Sequence, residues 1–93
     1  MADSDNPHTT REQMIARMVD NMPALRAKVG LTQSELADKI GLGRQTLLAI
    51  ENKKSKMRWD TFLALVVFFS KNEATANMMQ FLSLHLDSID LDH

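Results

Sequence analysis

Residues 32–52 constrain the fold most, because two short helical patterns stand there on either side of the turn Gly41-Leu42-Gly43. The apolar residues of the first pattern fall on one helix face, and they are Leu36, Ala37 and Ile40. Gly41 then ends that helix, since glycine reaches the left-handed C-terminal cap without a Cβ penalty. The apolar face of the second pattern is formed by Leu47 and Ile50. The segment predicts two short amphipathic helices joined by a tight turn.

The outer face of the second helix carries side chains suited to reading DNA. Its members are Arg44, Gln45, Leu48, Ala49 and Asn52. Arginine can donate two parallel N–H groups to guanine, glutamine can pair with adenine, and alanine can contact a thymine methyl group. A polar helix face by itself usually indicates only exposure to solvent. Two short helices joined by a tight turn, however, are typical of a helix-turn-helix, whose second helix lies in the major groove of DNA. The turn before this helix therefore favours a base-reading face.

The segment resembles the phage-repressor-like (Cro/CI, or XRE) helix-turn-helix domains over roughly residues 22–70. The likeness is strongest in LRAKVGLTQSELADKIGLGRQTLLAIEN and in the following WDTFLALVVFF. It implies an all-α fold, a compact bundle of about five helices, in which the helix near Gln33 braces the DNA backbone. The resemblance places the base-reading positions on Arg44, Gln45 and Ala49, with Leu48 beside them.

The resemblance also implies roles for residues around the two helices. Gln33 matches a position that commonly touches a phosphate and supports the first reading residue, and Asn52 matches a phosphate-contacting position. Arg26 and Glu51 match a frequent structural ion pair. The pair Lys53-Lys54 departs from the family, which usually has glycine followed by lysine or arginine there. We therefore expect the exit from the reading helix to differ in shape.

Positive charge is concentrated around the two helices, although the whole chain has a net charge of −1. Residues 23–71 carry nine basic and four acidic side chains, whereas residues 1–22 have a net charge of −2 and residues 72–93 of −4. Four of the basic residues follow the reading helix, and they are Lys53, Lys54, Lys56 and Arg58. Such a cluster is often only a solvated loop. Beside a reading helix it is well placed for DNA phosphates.

The N-terminal flank predicts an extra helix over about residues 10–21. A capping pattern, Thr9 or Thr10 with Glu12 or Gln13, precedes one apolar stripe, made of Met14, Ile15, Met18, Val19 and Met22. Pro23 either kinks this helix or begins the next one. The stripe fits a layer of the core and a surface for a partner equally well, because methionine packs adaptably in both.

The C-terminal half predicts two more helices. Asp60 is a plausible cap for a helix over residues 61–69, whose run FLALVVFF is apolar on every side. It must be covered on at least two faces, by the helix-turn-helix core and by the terminal segments or a second subunit. Asn72 is a good cap for a final helix to about His85, although residues 82–91 fit both helix and strand periodicity.

The predicted organisation has three parts. Residues 1–9 are expected to be disordered, and residues 10–71 to form the helix-turn-helix domain with its extra N-terminal helix. Residues 72–93 are expected to form a helical extension and an acidic tail that make a dimer.

Enzymatic, metal and membrane roles find little support in the sequence. The chain has no cysteine, and its three histidines, His8, His85 and His93, are scattered. It has no glycine-rich phosphate loop and no nucleophile motif. The longest apolar run has eight residues, far below the roughly 20 that span a bilayer, and the polar N-terminus lacks the apolar stretch of a signal peptide. We expect a cytoplasmic, nucleoid-associated protein that is not an enzyme and needs no cofactor or metal.

These observations predict a sequence-specific regulator of transcription that binds double-stranded DNA. It is expected to be a homodimer that represses by occupying an inverted-repeat operator. One alternative is an antitoxin whose terminal extension holds a toxin or another regulatory protein, in which case a partner would co-purify. Another is a protein–protein adaptor that keeps the fold, in which case no duplex would bind in a salt-dependent way.

Overall fold

The structure, a computed structural model, describes residues 10–85, which form five α-helices and no strand. In chain order the helices are α1 (Arg11–Val29), α2 (Gln33–Ile40), α3 (Arg44–Glu51), α4 (Trp59–Lys71) and α5 (Glu73–Phe81). The predicted all-α fold is confirmed. The expectations for the disordered residues 1–9, for the acidic tail and for helix or strand beyond residue 85 lie outside the described residues.

Helix α1 begins at the predicted cap but continues through the proline. The Thr10 hydroxyl accepts a hydrogen bond from the Gln13 amide at 3.1 Å, and the Gln13 side chain accepts one from the Thr10 amide at 2.9 Å. Pro23 lies inside the helix, so the alternative in which it begins a new helix is wrong. The extra N-terminal helix is therefore an extension of α1. Met22 and Leu25 are fully buried on either side of Pro23, and this packing offsets the backbone hydrogen bond that proline cannot donate.

The methionine stripe of α1 belongs to the core of the same chain. Met14, Met18 and Met22 are at most 4% exposed and belong to one core cluster with residues from every other helix. Ile15 and Val19, at the edge of the stripe, are only half-buried. The three methionines are therefore core residues. Only Ile15 and Val19, at the edge of the stripe, remain available as a surface for a partner.

Helix α4 is covered on its buried face by other helices of its own chain. Its buried residues are Phe62, Leu65, Val66 and Phe69, and α4 packs against α5, α1 and α2. The terminal segments therefore supply the second cover that the apolar run FLALVVFF requires. The opposite face of the helix, with Val67 37% exposed, remains at the surface.

The predicted cap of α4 is wrong by two residues, because Arg58 rather than Asp60 stands at the cap position. The helix begins at Trp59, and Asp60 lies in its first turn, where its carboxylate accepts a hydrogen bond from the Thr61 amide at 2.8 Å. The Trp59 ring stacks on Phe62 at 4.7 Å between centroids. This contact stabilises Trp59 in the helical conformation, so α4 begins before Asp60.

Helix α5 begins as predicted and ends early. Asn72 caps it by accepting a hydrogen bond from the Ala74 amide at 3.0 Å. The helix ends at Phe81 rather than near His85, because Ser83 adopts a left-handed conformation with φ of 58°. The Leu84 amide donates to the Met79 carbonyl at 2.8 Å, which closes a Schellman motif and buries Leu84.

Candidate nucleic-acid interface

Helices α2 and α3 form the predicted two-helix unit. A capping box of Thr32 and Glu35 begins α2, and Gly41 ends it in the left-handed conformation with φ of 74°. The Leu42 amide donates to the Ala37 carbonyl at 2.8 Å, and Gly43 stands at the cap position of α3. The two helices pack through the buried residues predicted for them, Leu36, Ala37, Leu47 and Ile50.

The first turn of α3 presents its polar side chains to solvent. Arg44 and Gln45 are exposed, and so is Asn52 just beyond the helix. Leu48 and Ala49 are half-buried on the same outer side. Side chains at the start of such a helix reach deepest into a major groove. The structure therefore brings the sequence-predicted base-reading residues together on one exposed face.

Thr46 also lies on the exposed first turn of α3. Thr46 is exposed in the first turn of α3, directly after Gln45, and sequence reasoning did not single it out. Its hydroxyl can donate or accept a hydrogen bond to a base or a phosphate. The residue type gave no signal, because threonine is common in any short polar turn.

A buried network fixes the orientation of α3 against α1 and α2. The Arg26 guanidinium pairs with both carboxylate oxygens of Glu51, at 2.9 Å from Nε and 3.1 Å from Nη2. Gln33, at the start of α2, donates from Nε2 to the same carboxylate at 2.9 Å. The side chain of Glu51 is 5% exposed and that of Arg26 is 18% exposed. One carboxylate therefore links three helices, and the side chain of Gln33 is held beside the interface.

The exit from α3 keeps the shape that a glycine would give. Lys53 adopts a left-handed conformation with φ of 63°. Its amide donates to the Ile50 carbonyl at 3.0 Å, and the Lys54 amide donates to the Ala49 carbonyl at 2.8 Å. These two bonds form a Schellman motif. The expectation of a different exit is therefore wrong, because the lysine accepts the strained conformation.

We expect Lys53→Gly to raise the free energy of unfolding by about 1 kcal/mol, because a non-glycine residue is strained at positive φ. Urea unfolding followed by circular dichroism measures the change. Lys53→Ala is the matched control, since it removes the same side chain and keeps the strain. A stabilisation shared equally by the two variants would contradict the backbone explanation.

The basic loop after α3 is divided between paired and unpaired cations. Lys53 forms a salt bridge with Asp20 of α1 at 2.8 Å, and Arg58 forms one with Asp60 at 3.1 Å. The hydrogen bond from Arg58 lowers the pKa of Asp60 below its ordinary value. Lys54 and Lys56 are exposed and form no salt bridge within residues 10–85. Exposed pairs are weak, so phosphates can compete for all four cations.

The loop and α1 also enclose an open groove of about 780 Å³. Its lining includes the apolar residues Ile15, Val19 and Met57 and the basic residues Lys54 and Lys56. The described part of the chain contains no group of three or more potential metal-ligating side chains. Across residues 10–85, no helix is both long and apolar enough to cross a membrane.

Comparison with known proteins identifies the central part of the chain. Residues 24–69 match the model of the Helix-turn-helix family, which is a family of DNA-binding domains. The match extends from α1 through the two-helix unit to α4, and it confirms the resemblance drawn from the sequence. No curated protein and no solved structure is significantly similar to the chain.

Proposed function

The chain belongs, through residues 24–69, to the XRE-type helix-turn-helix family of DNA-binding regulators, and we propose that it is a repressor that reads a specific double-stranded operator as a homodimer. The observation that carries the proposal is the exposed first turn of α3. Arg44 and Gln45 lie there at the protein surface, on a helix whose orientation is fixed from behind by Glu51.

In the proposed complex, α3 lies in the major groove. Arg44 reads guanine and Gln45 reads adenine, while Leu48 and Ala49 contact apolar base edges. Asn52, Gln33 and the basic loop hold phosphates, which fixes the position of α3 without reading sequence. The charge distribution supports this arrangement, because residues 23–71, which include the reading helix, carry the net positive charge of the chain.

We place the dimer contact at the outer edge of α5. Phe81 is 87% exposed, the most exposed large apolar side chain among the described residues. Half-buried Met78 and Leu82 lie next to it at the end of α5, and a contiguous apolar patch on the surface is typical of an interface. A twofold dimer that sets its two α3 helices about 34 Å apart matches inverted half-sites one turn of DNA apart. Bound there, the dimer excludes RNA polymerase from the promoter.

Arg44→Ala is expected to weaken binding to the preferred operator by about 1–3 kcal/mol and to relax specificity at one base pair. Fluorescence anisotropy with the operator and with single-base variants measures both effects. Arg44 is exposed, so the fold is expected to remain intact. An equal loss on operator and random DNA would contradict a base-reading role.

Lys54→Ala is expected to weaken binding to all sequences alike and to reduce the slope of log Kd against log salt by roughly one unit. The slope is measured between low and moderate salt on operator and random duplexes. Lys28→Ala is the matched control, because Lys28 is an exposed lysine on α1 outside the loop. A loss confined to the operator would contradict a phosphate contact by Lys54.

The decisive experiment selects bound duplexes from a random pool with the full chain. A palindromic consensus is the expected result, since it establishes base reading and twofold symmetry together. Failure to enrich any sequence, with weak binding that is independent of salt, would refute the proposal and favour the adaptor. Enrichment of a single, non-repeated site would refute the homodimer alone.

A further inference from the structure

The outer face of α4 forms a second apolar surface where it meets the end of α2. Ala64, Val67, Phe68 and Lys71 follow one another at the spacings of a single helix face. With residues from the end of α2 they enclose an open groove of about 640 Å³. The other lining residues are Lys39, Ile40 and Asn72. We call this surface the α4 groove.

The α4 groove is separate from the base-reading face, and it lies outside the fully buried core, although Ile40 and Phe68 pack against that core. The buried side chains of α4 lie on its opposite face, and Val67 is 37% exposed. Half-buried Phe68 packs edge to face on Phe69 at 5.3 Å, which fixes its ring in the wall of the groove. The groove is therefore a preformed apolar surface.

Its charge specifies what can bind there. Two lysines, Lys39 and Lys71, line the groove, and among residues 10–85 no acidic side chain does. A twofold contact between two such grooves would bring four ammonium groups together, which opposes self-association through this face. The groove fits a segment that combines apolar side chains with negative charge.

We propose that the α4 groove binds the chain's own residues 86–93, LDSIDLDH. This segment has three aspartates and no lysine or arginine, and its apolar residues are Leu86, Ile89 and Leu91. The aspartates complement Lys39 and Lys71, while the apolar side chains cover Val67 and Phe68. The contact goes beyond DNA binding and does not depend on it.

The length of the segment allows it to reach the groove within one molecule. Asn72, which lines the groove, is the cap of α5, and the nine residues of α5 span roughly 14 Å at 1.5 Å per residue. The turn at Ser83 folds the chain back after Leu82 rather than continuing the helix axis. Eight residues extend up to about 26 Å, which exceeds the length of α5.

Methyl NMR of the full chain tests the contact directly. The chain has four isoleucines, Ile15, Ile40, Ile50 and Ile89, so their methyl signals are readily assigned. We expect nuclear Overhauser contacts from Ile89 to Ile40 or Val67, and none to Ile15, which lines the groove beside α1. Contacts from Ile89 only to Ile15 or Ile50, or an Ile89 signal identical to that of a free peptide of residues 82–93, would overturn the proposal.

Charge reversal supplies the matched comparison. Lys39→Glu combined with Lys71→Glu is expected to abolish the contacts and move the Ile89 signal to its free-peptide position. Lys54→Glu combined with Lys56→Glu makes the same charge change in the basic loop and should leave Ile89 in place. All four lysines are exposed, so both variants are expected to keep the fold. The assignment to the α4 groove would be refuted if the variant of Lys54 and Lys56 moved the Ile89 signal to its free-peptide position. It would also be refuted if the variant of Lys39 and Lys71 left that signal in place.

A mixed sample separates this arrangement from exchange between two copies. Copies labelled only at isoleucine are mixed with copies labelled only at valine. Contacts between Ile89 and Val67 are expected to vanish in the mixture, because each segment stays on its own chain. Contacts that persist between differently labelled copies would assign the groove to a second copy and overturn binding within one chain.

Discussion

Glu51→Ala is expected to lower the free energy of unfolding by about 3–5 kcal/mol, the range for losing one partner of a buried ion pair. The substitution leaves the guanidinium of Arg26 without its carboxylate and removes the acceptor used by Gln33. The two charged side chains are 5% and 18% exposed, so water replaces the lost bonds poorly. Urea unfolding measures the effect, and unchanged stability would show that the pair contributes little.

A double variant shows whether the lost stability of Glu51→Ala comes from the unpaired guanidinium of Arg26 or from the loss of favourable contacts to Glu51. Arg26→Met with Glu51→Leu replaces the pair by apolar side chains of similar volume, and such replacements are often close to neutral. We expect the double variant to be clearly more stable than Glu51→Ala alone. A double variant that is as unstable as the single one would mean that the hydrogen bond to Gln33, rather than the buried guanidinium, accounts for the loss.

The parts of the fold that follow from local rules were predictable. The limits of α2 follow from a capping box at Thr32 and a left-handed glycine at Gly41, both readable from residue type. The buried side of α3 follows from the spacing of Leu47 and Ile50. The pairing of Arg26 with Glu51 came from the family resemblance alone, because the two residues are 25 positions apart.

The errors arose where tertiary packing overrides local preference. Proline usually ends a helix, yet α1 continues through Pro23 because the core holds residues on both sides. Lys53 and Ser83 occupy left-handed positions where glycine or asparagine is the usual signal. Neither residue type announces such a turn, so the end of α5 could be located only in the folded chain.

The source of the cover over α4 could not be decided from the sequence. An all-round apolar helix requires two covers, but its pattern is the same whether a terminal segment or a second subunit supplies them. The structure assigns the inner cover to α1 and α5 of the same chain. The salt bridge of Lys53 with Asp20 could not be predicted from the sequence either, since two exposed residues 33 positions apart form no recognisable pattern.

Met79→Ala is expected to lower the free energy of unfolding by about 2–5 kcal/mol, as for other large-to-small changes in a core. Met79 is fully buried, and α5 packs on both α4 and α1. Arg17 further ties α1 to the end of α5 by donating to the Leu82 carbonyl at 3.0 Å.

Removal of α5 by truncation after Ser70 is therefore expected to uncover Phe69 and unfold or aggregate the chain, rather than release a stable monomer.

Phe81→Ala on the same helix isolates the dimer contact from this structural role. Phe81 is 87% exposed, so its truncation is expected to change the unfolding of the monomer by less than about 0.5 kcal/mol. If the outer edge of α5 joins two subunits, Phe81→Ala will shift the mass measured by analytical ultracentrifugation from dimer to monomer. Operator affinity will fall with it, because each half-site is then bound alone. A Phe81→Ala protein that remains dimeric with unchanged affinity would exclude this edge, and the half-buried Ile15 and Val19 of α1 would be the next surface to test.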